Sequence, residues 1–167
     1  MSVATVTIDP AHLRRVYGTF PTGVAAVAAL IDGAPVGMAA SSFTTVSLEP
    51  PLVSVCVAHT STTWPVLRRA PRLGVNVLAA AQAAAGRQLA AKGVDRFAGL
   101  TWRATDGGAV IIDGVSGWFD VSIDNEIRAG DHNIIVLRVH DLDGDHDRHP
   151  LIFHASTFRR LEPPPVE

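Results

Sequence analysis

The segment Gly37-Met38-Ala39-Ala40-Ser41-Ser42-Phe43 combines small side chains with hydroxyls and runs on through Thr44-Thr45-Val46-Ser47-Leu48-Glu49-Pro50-Pro51-Leu52. Small side chains let a ligand approach the main chain, and successive peptide N–H groups and hydroxyls can then meet an electron-rich, anionic molecule. The same composition suits a strand that leaves a sheet for an irregular crossing, with serines satisfying their own backbone. A second cluster, Ser61-Thr62-Thr63, stands directly ahead of Trp64-Pro65, where proline in a first turn marks a short helix. Hydroxyls and first-turn amides there make either an anion site or an ordinary N-cap. A third, Gly130-Asp131-His132, joins two apolar segments, so that its histidine either meets a ligand or sits in an Asx-turn formed by Asp131.

Other reactive side chains read as structural. Cys56 lies in an apolar run and is expected to be a small buried hydrophobe. His146 and His149, beside Asp145 and Asp147, match no standard zinc spacing and are assigned to a solvated loop. Arg87, Lys92 and Arg96 read as solvated surface cations within reach of a dinucleotide phosphate. Trp64, Trp102 and Trp118 belong to core or interface, and Phe97 packs on a ligand or on the sheet. No serine-hydrolase elbow, phosphate-cradling glycine loop or dinucleotide-binding fingerprint occurs in the sequence.

The elements that must position these residues are short strands with few helices. Asp9-Pro10 caps a helix whose Leu13, Val16 and Tyr17 form one face and Gly18 the stop. Residues 24–31 are an apolar strand, Asp32-Gly33 a hairpin turn, and residues 35–40 its partner. Further strands are expected at 52–57, 74–78, 119–127, 133–142, 151–153 and 157–161. In residues 119–127, apolar and polar side chains alternate clearly. Alanine-rich residues 79–91 predict one continuous helix ending at Lys92-Gly93, with another turn at 94–99. Residues 1–8 read as an arm, and Glu162-Pro163-Pro164-Pro165 as a tail that cannot extend a ladder. Many short strands and turn signals give a β-rich barrel.

Composition narrows the function classes. The chain of 167 residues suits one domain spanning 1–167, with a core over about 10–161. Its net charge of −2 disfavours nucleic acid as a partner, because phosphate backbones demand a basic face. A single cysteine points to a reducing, cytoplasmic compartment, and no apolar run is long enough to span a membrane.

Gly37-Met38-Ala39-Ala40-Ser41-Ser42-Phe43, Ser47-Leu48-Glu49-Pro50-Pro51-Leu52-Val53, Asn76-Val77-Leu78, Arg96-Phe97-Ala98-Gly99 and Gly130-Asp131-His132 follow in order at spacings that resemble the flavin reductase-like, FMN-binding split-barrel family. The resemblance covers residues 10–161 and implies a Greek-key split β-barrel with a few short flanking helices. It implies an NAD(P)H:flavin oxidoreductase, in which hydride passes from nicotinamide C4 to the flavin N5 and reduced flavin leaves for a partner monooxygenase. FMN is the implied cofactor, with FAD as an alternative and NADH or NADPH as co-substrate; no metal is implied, and a homodimer is. Pro35, Val36, Gly37, Met38, Ala39, Ser41 and Ser42 are carried over to the ring, with backbone N–H groups near Met38, Ala39 and Ser41 on its polar edge. Ser61, Thr62 and Thr63 are carried over to the phosphate. Cys56, Val57, Ala58, Gln88 and Leu89 are placed beside the cofactor, with Gln82 and Asn76 as weaker candidates. His132 is the catalytic-site histidine, holding the nicotinamide or the reduced flavin. Phe158 is assigned a structural role. Many relatives carry threonine where Ala39 stands, so one side-chain contact is missing. A flavoprotein that keeps its flavin for another small molecule, and a non-enzymatic flavin-binding module, share these segments.

Overall fold

The computed structural model describes residues 7–162, so residues 1–6 of the expected arm and 163–167 of the expected tail lie outside the described residues. Seven strands form one antiparallel sheet in the order β3 (Ala34–Ala40), β2 (Ala25–Ile31), β6 (Leu73–Val77), β9 (Gly117–Ala129), β10 (His132–Gly144), β5 (Pro51–Ala58) and β4 (Thr44–Leu48). The two edges of this sheet, β3 and β4, are consecutive in sequence and joined by three residues. Laid flat, seven strands would separate the edges by about 29 Å, at about 4.8 Å per strand. The connection from Ala40 to Thr44 reaches at most about 14 Å. The sheet must therefore roll up, and Ser41, Ser42 and Phe43 bridge its open side. This is the split barrel. Phe43 turns inward, its ring 5.3 Å from that of Phe119 on β9.

Strand β2 explains the double burial. Ala25, Val27 and Ala29 face the barrel interior with Val55, Leu67, Leu73, Val75, Ile135 and Leu137. The alternate residues Val24, Ala26 and Ala28 face a second core with Leu78, Leu89, Val110, Ile112 and Leu151. A strand buried on both faces needs an unbroken apolar run, which is what residues 24–31 supply. The second core is covered by α3 (Ala83–Ala90) and by a small hairpin, β7 (Trp102–Ala104) with β8 (Val110–Ile112). A separate three-stranded sheet, β1 (Thr22–Gly23), β11 (Ile152–His154) and β12 (Thr157–Arg159), lies beside it, and Phe158 and Leu151 pack against Gly86 of α3.

Buried Asn76 fastens the two layers. Its amide donates to the carbonyls of Ala26 and Val110, and its Oδ1 accepts from the Ile112 amide at 2.8 Å. Its place in the fold is therefore structural. Gly74 beside it admits no side chain, because a Cβ there would collide with the Val110 carbonyl.

Several expectations change. The alanine-rich helix is broken into a 3-10 turn, Ala80–Gln82, and α3, because the Gln82 side chain accepts from the Ala79 amide and donates to the Asp113 carbonyl. Residues 96–99 make the expected turn without continuing the helix; Gln88 donates to the carbonyls of Asp95 and Ala98 and holds the segment as a loop. The segment 44–48, read as part of an irregular crossing, is strand β4. Helix α1 (Pro10–Tyr17) forms as expected on its Asp9 cap, yet none of its residues is buried and Tyr17 is 71% exposed.

Candidate functional site

Strand β3 is a sheet edge, so every second residue presents its peptide groups outward. The register identifies which. The Leu30 amide bonds Gly108 on the far side of β2, and the Val24 carbonyl accepts from Leu78 on that same side. Alternation then directs Ala25, Val27 and Ala29 toward β3, where they pair with Ala40, Met38 and Val36. Gly37, Ala39 and Ser41 are left facing away, and the Gly37 carbonyl does accept an outside donor, Arg96 Nη1 at 3.0 Å. Among the described residues the amides of Ala39 and Ser41 have no acceptor outside the strand ladder. The Met38 amide, expected among the outward donors, instead belongs to the ladder with Val27.

Three hollows line this edge in turn. The first, about 310 Å³, adjoins Pro35, Val36 and Gly37 on one side and residues 93–97 on the other. Gly37 is required here: a Cβ would come within 2.9 Å of both the Phe97 ring and the Val27 carbonyl. The second, also about 310 Å³, has Met38, Ala39, Ala58 and Leu89 as its apolar wall. Its opposite wall carries the hydroxyls of residues 60–63 with Lys92 and Arg96. The third, about 170 Å³, lies between Ala39, Ala40 and Ser41 and the aromatic pair Phe153 and Phe158.

The hydroxyl wall is partly committed. Ser61 Oγ accepts the Trp64 amide at 3.1 Å and points its own hydrogen at Met38 Sδ, 3.8 Å away. Thr63 Oγ1 accepts from Arg96 Nη1 at 2.9 Å. Helix α2 is a single turn, Trp64–Leu67, and the amides of Val66 and Leu67 both bond the Thr63 carbonyl. With Pro65 lacking a donor, the first-turn amides expected to receive an anion are already used. Positive charge at this wall comes instead from Lys92 and Arg96. Arg96 was read as a solvated surface cation; it is half-buried and tied to three elements, since Nε also donates to the Ala91 carbonyl at 2.7 Å. Its sequence signals were its reach to a dinucleotide phosphate and its place in the segment Arg96-Phe97-Ala98-Gly99.

His132 opens β10 and stands opposite Ala58 of β5, which brings it to the end of the barrel where the second hollow lies. Its Nδ1 meets Asp131 Oδ1 at 2.7 Å, leaving Nε2 without a partner among the described residues. That hydrogen bond, and then the imidazolium charge, hold the Asp131 carboxyl below its ordinary value. The His59 amide donates to the Asp131 carbonyl at 2.9 Å, fastening the histidine turn to the hydroxyl segment.

Five of the expected residues fall elsewhere. Ser42 Oγ accepts from the Cys56 amide at 2.8 Å and donates to the Cys56 carbonyl, so it closes the barrel rather than facing a hollow. Cys56 is exposed, not buried, because it sits on the outer face of β5. Val57 points into the barrel core, Gln88 is occupied by the 95–98 loop, and Gln82 holds the Ala79 turn. Leu89 and Ala58 remain on the groove.

The arrangement can take a flat, partly apolar molecule along β3 with its polar edge on the outward amides and an anionic extension on the hydroxyl and cation wall. Comparison with known proteins identifies the family. The "Flavin reductase like domain" family profile matches residues 17–162. A flavin reductase of Pseudomonas putida is 43% identical over 90% of this chain and 89% of its own. The reductase subunit HsaB of a flavin-dependent monooxygenase from Rhodococcus jostii (strain RHA1) is 36% identical over 97% of this chain and 83% of its own. Among solved structures, the NADH:FAD oxidoreductase SgcE6 of Streptomyces globisporus, in complex with NAD and FAD fragments, superposes with a TM-score of 0.88. It is 37% identical over 94% of this chain and 97% of its own. Sequence, fold and edge-strand geometry converge: the chain belongs to the flavin reductase-like domain family.

Proposed function

We infer that the protein is an NAD(P)H:flavin oxidoreductase that hands reduced flavin to a partner monooxygenase. A bound flavin supplies the hydride acceptor for this chemistry. The chain's own residues bind and orient. Amides of Ala39 and Ser41 meet the polar edge of the ring, each hydrogen bond contributing about 1 kcal/mol net. Met38, Ala39 and Leu89 give apolar contact, while Thr62, Lys92 and Arg96 face the phosphate. His132 offers Nε2 at the rim, its ring held by Asp131, so it positions the nicotinamide rather than moving a proton. Orientation and proximity supply most of the acceleration in such a stacked complex.

The observation that carries this reading is the pair of outward amides on β3 beside a groove holding hydroxyls and two cations but no carboxylate. The mixed character of that groove fits FMN, and FAD also suits it because a further hollow continues past Arg96. The monooxygenase partner is supported by relatives that are reductase components of such systems. A homodimer is supported by a row of exposed or half-exposed apolar residues, Ile127, Ile134 and Cys56, in register across β9, β10 and β5. The test is NADH oxidation with catalytic protein and excess FMN, followed anaerobically at the flavin absorbance. Multiple turnovers are expected; NADH left unconsumed in the presence of FMN, FAD and riboflavin refutes the assignment.

A further inference from the structure

Resting on the flavin reading above, we propose that Arg96 is the residue that makes this site select phosphorylated flavins over neutral ones, acting as a fixed counter-charge rather than as a brace alone. Arg96 is half-buried, and its three protein acceptors, the Ala91 and Gly37 carbonyls and Thr63 Oγ1, are all uncharged. Among the described residues no carboxylate oxygen lies within 4.0 Å of its guanidinium, whereas Arg68, Arg69, Arg72, Arg138 and Arg148 each have one. Asp95, next in sequence, spends its carboxylate on the Phe97 amide at 3.0 Å. Nε and Nη1 are used, and among the described residues Nη2 has no acceptor for either of its hydrogens.

A half-buried cation without a counter-ion is costly unless the function supplies one. Arg96 borders two hollows along β3, on the same wall as Thr63, and the hollow it shares with Lys92 contains no acidic side chain. Its fork geometry suits a phosphate monoester or diphosphate, which accepts parallel N–H bonds. The bond to the Gly37 carbonyl fixes that fork relative to the strand whose next outward amide, on Ala39, meets the ring. One side chain thereby sets the distance between ring edge and phosphate.

Two variants separate charge from bracing. Arg96→Gln keeps an amide donor of similar reach but removes the charge, and Arg96→Lys keeps the charge but loses the fork. Purified full chain is titrated with FMN and with riboflavin, which has the same ring without phosphate, by quenching of flavin fluorescence. Wild type should prefer FMN by at least about tenfold. Arg96→Gln should weaken FMN about 10- to 100-fold, the range of a charge-assisted bond, with riboflavin changed by less than about threefold. Arg96→Lys should retain most of the preference. Preserved FMN preference in Arg96→Gln overturns the proposal, and so does parallel loss of both ligands in the two variants, which would make the guanidinium a brace. If wild type binds neither ligand, the flavin reading itself falls, an outcome distinct from either.

Discussion

At the scale of single residues, the site is built from groups that have been freed for it. His132 is held through Nδ1 by Asp131, and its Nε2 has no partner among the described residues. His132→Ala should slow reduction by NADH about tenfold or more while changing the FMN dissociation constant by less than about threefold, as expected for a group that orients the second reactant. Stopped-flow reduction beside flavin titration would show it, and equal effects on both would remove the role. Ser61→Ala with Thr62→Ala should raise the FMN dissociation constant, and it should also loosen α2, since Ser61 caps the Trp64 amide. The Asp131 pair sets a pH dependence. Its folded pKa lies below the ordinary 3.8, so the unfolded chain binds more protons just under that value. The stabilisation is complete above pH 3.8 and lost as pH falls through the lowered folded value. Asp131→Asn should flatten the stability profile in that acid window, and a profile of unchanged slope in acid denaturation would count against it.

At the scale of elements, the edge strand and the loop that leans on it act as a unit. Gly37 lets Phe97 approach β3 closely enough for Arg96 to reach the Gly37 carbonyl. Gly37→Ala forces that loop away, at about 1–3 kcal/mol of stability as for other overpacked sites, and should weaken FMN more than riboflavin. Thermal melts and the same two titrations check both parts. Farther along, Arg72 holds the buried Asp120 at 2.9 Å between β6 and β9. Removing only the arginine leaves a buried carboxylate alone. Arg72→Met is therefore expected to cost about 3–5 kcal/mol, measured by denaturant unfolding, with flavin affinity unaffected once the protein is folded.

For the whole molecule, the rolled sheet leaves one open side and one apolar outer face. The face across β9, β10 and β5 shows Ile127, Ile134 and Cys56, in register with one another. Exposed apolar residues grouped in this way suit a protein–protein interface. Ile134→Glu should shift the species in light scattering from dimer to monomer; a wild type already monomeric at micromolar concentration would refute the dimer.

Taken by itself, the sequence determined the strands that carry strong local signals. The apolar run at 24–31, the Asp32-Gly33 turn, the strand at 119–127 and the Asp9-Pro10 cap are decided by interactions within a few residues and stand where the pattern put them, although a bulge in the strand turns Ile127 outward. The family motifs also located β3, the hydroxyl segment and the His132 turn. Tertiary structure decided what those groups are free to do. Ser42 and Ser61 are the same residue type in similar settings, yet one closes the barrel on Cys56 and the other caps Trp64. Cys56 and Val57 are neighbours in one apolar run, but rolling the sheet sends the first outward and the second into the core. Arg96 looked like any surface cation until the 94–99 loop folded it against β3. The Arg96–Gly37 bond joins residues 59 positions apart and the Ser42–Cys56 bond residues 14 apart, and no local pattern encodes such pairings.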